Sequence, residues 1–445
     1  MPLLTKEASM ELLKKVLSYS KADECEVNLS GSDGGNIRYA RNSVSTSGGI
    51  TQNTLAVTSS FGKKSGIATI NEFDDASLQK VVKRSEELAQ LAPENPEYVP
   101  FLGPQQYLEE SKTFEPSTAE IGPKFRSDAV AQSLAIAKQN DLTAAGFLEN
   151  SAGFNAMMNS KGLFAYNKAT NVNFNVTLRT KDEKGSGYAS KGYNDVSKLD
   201  VAASTRFAAQ KATGSGNAKA IEPGKYTVIL EPAAAIVLLE TMLFAMDARS
   251  ADEGRSFLSK AGGKTKLGEK LVDERVNIYS DPQNPELPTS PWNGDGRPQE
   301  KISWIEKGVM KNLFYSRYWA EKKGVKSIPA PDGIIMEGGT ASIEDLIKGT
   351  EKGILVTRLW YIRQVDPQTL LYTGLTRDGT FYIENGQIKF PVKNFRFNES
   401  AVIMLNNLEA LGKPERTVSG ESGTHALIPP MKIRDFTFTS LSDAV

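Results

Sequence analysis

Tyr226–Asp247 reads YTVILEPAAAIVLLETMLFAMD. Tyr226 to Leu230 is a short run of β-formers behind the breaker Pro223-Gly224, which predicts a strand. Glu231-Pro232 suits a helix start, because proline is tolerated in the first turn and a carboxylate there suits the dipole. Ala233 to Met246 then supplies about four turns, and Glu240 is the only ionisable side chain in them. A helix apolar nearly all round belongs inside a large domain. It is too short for a membrane span, which needs ~20 apolar residues.

A buried helix behind a strand can carry His and Glu ligands for zinc, yet Leu238–Ala245 contains no His. The whole chain of 445 residues has one His, His425, and one Cys, Cys25. A zinc site built from imidazole or thiolate therefore lacks parts. Lys plus Arg equals Asp plus Glu at 53 each, so charge alone recruits neither nucleic acid nor an anionic membrane. The N-terminal MPLLTKEASMELLKK has no apolar core of a secretory signal. With one cysteine and no internal disulfide, the expectation is a cytoplasmic protein. Cys25 alternates with Val27 and Leu29 and reads as a buried structural thiol rather than a nucleophile.

Outward from the helix, the N-terminal half reads as duplicated. Thr5 can cap a helix with Leu12, Leu13, Val16 and Leu17 as its stripe. Strands are expected at Glu24–Leu29, Asn36–Arg41, Thr51–Ser60 and Ser65–Ile70, and a closing helix at Ser77–Leu91. The second set has a helix at Lys124–Lys138 and strands at Ala144–Asn150, Asn155–Asn159 and Val172–Arg179. A hairpin arm at Gly187–Ser190 and a helix at Val201–Ala212 complete it. Lys64-Ser65-Gly66-Ile67-Ala68 is echoed by Gly185-Ser186-Gly187-Tyr188-Ala189, and Phe73–Ser77 by Tyr193–Ser197. An Asp and a Ser precede each closing helix, where they can cap it.

The C-terminal half is β-rich. A strand is expected at Arg275–Tyr279, and a hairpin at Ile302–Ile305 and Val309–Phe314. A capped short helix follows at Ser342–Lys348, then strands at Ile354–Tyr361 and Lys432–Phe438. Asn385-Gly386 between Tyr382–Glu384 and Gln387–Phe390 is a two-residue hairpin signal. The fold class is therefore α+β: a duplicated helix–sheet–helix region, then a curled or barrel-like β domain around one buried helix. The expected divisions are residues 1–92, a linker-like 93–120, 121–217 and 222–445.

Few residues offer chemistry. Gly262-Gly263-Lys264-Thr265 lacks the upstream Gly of a P-loop and reads as a mobile loop. Gly31–Gly35 is another Gly-rich stretch. Trp292, Trp304, Trp319 and Trp360 read as packing rather than a stacking platform for single strands. Glu240 is the one buried-carboxylate candidate, either an acid or base with raised pKa or a partner of Arg249 or Arg255. His425 lies in an expected loop without ligand-spaced neighbours.

Taken in order, Val228–Glu231, Glu253–Phe257, Leu267–Lys270, Asp281-Pro282, Pro291–Gly296, Ile305–Val309, Gly353–Thr357 and Ile383–Gly386 resemble the TldD/PmbA family, often labelled modulator of DNA gyrase. The resemblance covers most of Tyr226–Phe438. It implies a two-subunit peptidase in which a TldD-type subunit holds a metal through His-Glu-x-x-x-His and a C-terminal Cys. The TldE or PmbA-type subunit lacks those ligands. Here the motif positions fall on Glu240, Thr241 and Ala245, and the Cys region near Arg416–Ser419, none of which is a family ligand. The resemblance thus implies a non-catalytic subunit shaping a cleft for an extended peptide, with zinc expected only in a TldD-like partner. Glu240, Arg255, Ser256 and His425 are the candidate cleft residues. The alternative is a stand-alone homodimeric peptide-binding or scaffold protein. An enzyme of altered chemistry using Glu240 is a third reading.

Overall fold

The computed structural model describes residues 3–108 and 112–442. The first unit is a helix at Lys6–Leu17, strands at Glu24–Ala40, Ser43–Phe61 and Lys64–Ile70, and a helix at Asp75–Leu91. The second repeats this order with a helix at Pro123–Gln139, strands at Leu142–Asn159, Phe164–Thr180 and Ser186–Tyr193, and a helix at Val201–Gly214. The repeat is joined through its first strands, which pair antiparallel from Glu26 with Asn159 to Tyr39 with Gly146. One six-stranded sheet results, running third, second, first of one unit and then first, second, third of the other.

Sequence reading broke the long strands too often. Glu24–Leu29 and Asn36–Arg41 are one strand, as are Ala144–Asn150 and Asn155–Asn159. The reason is Gly31–Gly35, which looks like a turn but is extended backbone in a crowded place. A Cβ on Gly31 would lie 2.3 Å from Phe154 Cε1, and one on Gly35 would lie 2.4 Å from the Arg126 guanidinium carbon. These glycines permit close approach rather than reversal. The caps also need one correction. Asp74 does cap its helix at Ser77 N, but Asp195 caps only a short 3₁₀ turn, and Asp200 caps the second closing helix at Ala203 N.

Alternation decides which face of the sheet is covered. Cys25, Val27 and Leu29 pack with Leu13, Val16, Leu78 and Val82 beneath the two helices of the first unit. Cys25 is 1% exposed, and burial pushes its thiol pKa up. That is the environment of a structural cysteine.

In the C-terminal half, Lys225–Leu230, Met431–Leu441, Phe395–Ser400, Leu371–Glu384 and Lys352–Asp366 pair in that order, and the last pairs back to the first. The sheet is a closed ring. Gln387–Pro391 joins it through Asn385-Gly386, both at positive φ, as a tight hairpin requires. A second sheet of six short strands ends in the hairpin Glu415–Val418 and His425–Ile428. The expected strand at Arg275–Tyr279 is shifted to Ile278–Ser280, and Gly262–Thr265, expected as a mobile loop, lies in a small hairpin. Trp292, Trp304 and Trp319 are buried.

The helix Pro232–Phe244 sits within one large core. Leu238, Leu239, Met242 and Leu243 share that core with Ile354, Val356, Met404, Ala426 and Ile428, which come from the ring, a short helix and the second sheet. Polar ties bind the halves together. Lys211 pairs with Glu231 at the helix start, and Arg249 grips Glu97 through two 2.8 Å bonds. Asp378 receives Ser186 Oγ at 2.6 Å and Arg358 at 2.9 Å. No described helix is long and apolar enough to cross a membrane.

Leu239 is fully buried, so Leu239→Asp places an unpaired carboxylate in the core, at a cost of several kcal/mol. The expected outcome is loss of soluble expression. A purified variant with unchanged melting would place the helix outside the core.

Candidate functional site

Glu240 lies on the third turn of the apolar helix and is 4% exposed. An ionised carboxylate there needs donors, and the helix itself offers none. Sequence reading expected Arg249 or Arg255. Both are committed elsewhere: Arg249 to Glu97 and Glu253, and Arg255 to Glu253 alone, at 2.6 Å. The donors come instead from the loop between Glu415–Val418 and His425–Ile428. Ser419 Oγ donates to Glu240 Oε1 at 2.8 Å and Ser422 Oγ to Oε2 at 2.6 Å.

The same hydroxyls hold the loop's own backbone. Ser419 Oγ accepts from Glu421 N and Ser422 N, and Ser422 Oγ accepts from Thr424 N. Glu240 thus serves as the buried anchor of a six-residue turn. Burial pushes its pKa above the usual carboxylate range, while the hydroxyl donors of Ser422, Ser419 and Thr424 pull it partly back.

The other candidates lie around this turn without sharing one surface. Thr241 Oγ1 donates within the helix to Leu238 O at 2.8 Å, and Ala245 is already past the helix end. Ser256 Oγ donates to Ala245 O at 3.1 Å and so closes the helix C-terminus. Arg255 lies at the exposed Glu253 pair. His425 is not in a loop: it opens a strand and packs beside Gly192. Its Nδ1 is 3.1 Å from Arg416 Nη2. Burial first, and the Arg416 charge second, hold its pKa down at about 4, so it is neutral near pH 7.

Arg416 was not singled out from the sequence, yet it joins the two halves. It is 7% exposed and donates to Gly192 O at 3.0 Å and Asn194 Oδ1 at 3.3 Å. Burial pulls its pKa down to about 10. Ser422 was also missed, and Ser419 was named only as the end of the Arg416–Ser419 stretch matched to the family Cys. The loop's richness in hydroxyls does not reveal a carboxylate 179 positions away.

Beside the N-terminal end of the helix lies a cavity of about 520 Å³. It is walled by Tyr188 and Ser190 from the edge strand of one sheet, Thr417 from the edge strand of the other, Phe207, and Glu231 and Ala233 at the helix start. None of Glu240, Arg255, Ser256 and His425 lines it.

A zinc ion does not fit the donors around Glu240. One carboxylate and the hydroxyls of Ser419, Ser422 and Thr424 supply neither imidazole nor thiolate, and both carboxylate oxygens already accept hydrogen bonds. Among the described residues, no three His, Cys, Asp or Glu side chains come together as a metal site.

Comparison with known proteins places this architecture. Residues 223–440 match the PmbA/TldA metallopeptidase C-terminal domain and residues 123–215 match the central domain of the same family. A protein of Methanocaldococcus jannaschii is 24% identical over 371 residues, which is 79% of this chain and 83% of that one. The metalloprotease PmbA of Escherichia coli O157:H7 is 27% identical over 173 residues, 38% of this chain and 37% of that one. The crystal structure of TldE from Thermococcus kodakarensis superposes with a TM-score of 0.87 at 21% identity, covering 97% of this chain and 100% of that chain. The two matched domains and the shared fold show that this chain belongs to the PmbA/TldD family.

Proposed function

We propose that this chain is the TldE/PmbA-like, non-catalytic subunit of a cytoplasmic TldD/TldE-type metallopeptidase complex acting on unstructured peptides. The observation that carries the reading is the 2.8 Å contact between Ser419 and Glu240. Glu240 stands at the position matched to the first His of the family motif, and Ser419 in the region matched to its Cys. On that matching, the places that hold ligands in a TldD-type subunit carry here a carboxylate and a hydroxyl closed on each other, which supports the reading. Zinc, with its activation of water, is assigned to the sister subunit.

This chain's own contribution is shape. The 520 Å³ cavity lies between two sheet edges, Ser186–Tyr193 and Glu415–Val418. An extended peptide there can satisfy its main chain by strand addition, a recognition mode that asks little of the peptide's side chains. We further propose the division of the chain at 1–92, 121–217 and 222–445, with 93–120 as the connection.

Purified alone, the chain is expected to bind no stoichiometric zinc and to cleave no unstructured peptide. Metal analysis and peptide digestion check this, and one tightly bound metal with chelator-sensitive cleavage would overturn it. Co-expressed with a sister chain carrying His-Glu-x-x-x-His, it should co-purify and raise the sister's peptidase activity. No co-purification and equal sister activity would favour a stand-alone peptide-binding scaffold.

Glu240 gives a third test. Its pKa is raised by folding, so the folded state holds more protons than the unfolded one above about pH 4.3, and its stability falls as pH rises through that window. Glu240→Gln removes this loss, so its melting temperature should gain on the parent's as pH rises above the ordinary glutamate value, and the gain should level off once Glu240 is ionised in both states. Each unit of raised pKa corresponds to about 1.4 kcal/mol. A difference that stays constant with pH would mean that Glu240 does not titrate in this range.

A further inference from the structure

The helix-free face of the N-terminal sheet and loops of the C-terminal half enclose a second cleft, of about 600 Å³. Strand alternation builds one wall. Cys25, Val27 and Leu29 face the helices, so Ser30 faces away from them. Ser30 pairs with Thr54 on one neighbouring strand and with Asn155 on the other, which sets these side chains in a row along the wall. None of the three has a side-chain hydrogen bond to the described residues.

Trp292 and Asp332 belong to the facing wall. Trp292 is 7% exposed, and its indole N–H has no acceptor among the described residues. Of the described residues that line the cleft, Asp332 alone is charged. It keeps open surface there, yet the protein around it raises its carboxyl pKa by burial. No cation among the described residues pairs with it.

The two walls select a ligand. Whatever fills the cleft strips water from Asp332, and a neutral or anionic occupant leaves that loss uncompensated. A bare divalent ion does not fit, because it needs several oxygen ligands held close and finds one carboxylate in a cleft far larger than itself. The opposite wall offers hydroxyl and amide donors. A simple alkylamine brings no acceptor for them, whereas a peptide carries main-chain carbonyls beside an ammonium group.

We propose that this cleft holds a short peptide segment by an ammonium group, its free N-terminus or a lysine side chain, set against Asp332, with Ser30, Thr54 and Asn155 bonding its main chain. The cleft shares no lining residue with the 520 Å³ cavity. The site therefore goes beyond the subunit reading, and its test needs no sister chain.

The test is calorimetric titration of the purified full-length chain with short peptides. Ala-Ala-Ala-amide carries an N-terminal ammonium, acetyl-Ala-Lys-Ala-amide a side-chain one, and acetyl-Ala-Ala-Ala-amide none. An ammonium-bearing peptide should bind at least ~10-fold tighter than the uncharged one, and the one that does so identifies the source of the group. Asp332→Asn keeps the shape, removes the charge and should abolish that preference while the melting temperature stays unchanged. Asn155→Ala should weaken the same peptide about 3-fold and leave the preference intact. Butylammonium, which has no carbonyl, should bind at least ~10-fold more weakly than the peptide. The proposal is overturned if neither ammonium-bearing peptide binds, if the uncharged peptide binds equally well, or if the preference survives Asp332→Asn. Butylammonium binding as tightly as the peptide would also overturn it, and glucosamine binding more tightly would do so in favour of an amino sugar.

Discussion

An α-helix with no polar face must be covered on every side, and that constraint explains most of the C-terminal half. Pro232–Phe244 has ten buried residues among thirteen. A single flat sheet covers one face of a helix. Here a closed ring covers one side, a second sheet covers another, and the short helix Ala401–Asn406 adds to the same core. The N-terminal units attach to this body through charged and hydroxyl groups such as Lys211–Glu231 and Ser186–Asp378, and through a small apolar cluster in which Trp292 packs with Met157, Leu163 and Ala165.

The one ionisable group inside that helix is accommodated without a countercharge. Two hydroxyls solvate Glu240, and the carboxylate in turn fixes the turn that carries them. An arginine partner would bring a second buried charge, and its desolvation can exceed the attraction gained. Hydroxyl donors avoid that cost and leave the carboxyl with a raised pKa. The arrangement uses the carboxylate as a structural anchor for the turn.

Much of this was legible in the sequence. The strand and helix of Tyr226–Asp247 and the Asn385-Gly386 turn rest on local periodicity and turn chemistry and appear within a residue or two of expectation, while the internal repeat appears with longer strands than expected. What was illegible is set by distant neighbours. The extended path of Gly31–Gly35 depends on Phe154 and Arg126 approaching it, which no local pattern encodes. The partners of Glu240 lie far along the chain, so a nearby arginine looked the better match. Arg249 instead pairs with Glu97, another distant residue. His425 was placed in a loop, yet pairing with Val418 makes it the start of a strand.

The closed ring also sets an order of events during synthesis. Leu230, just before the apolar helix, pairs with Met431, about 200 residues later in the chain. The helix emerges from the ribosome long before the strand that seals the ring around its core. Until then its aliphatic side chains have only partial shelter, and contacts of such sequence separation form slowly. The nascent chain is thus a natural client for chaperones that shield apolar segments. A truncation removing only Met431–Leu441 would leave the ring open beside that helix.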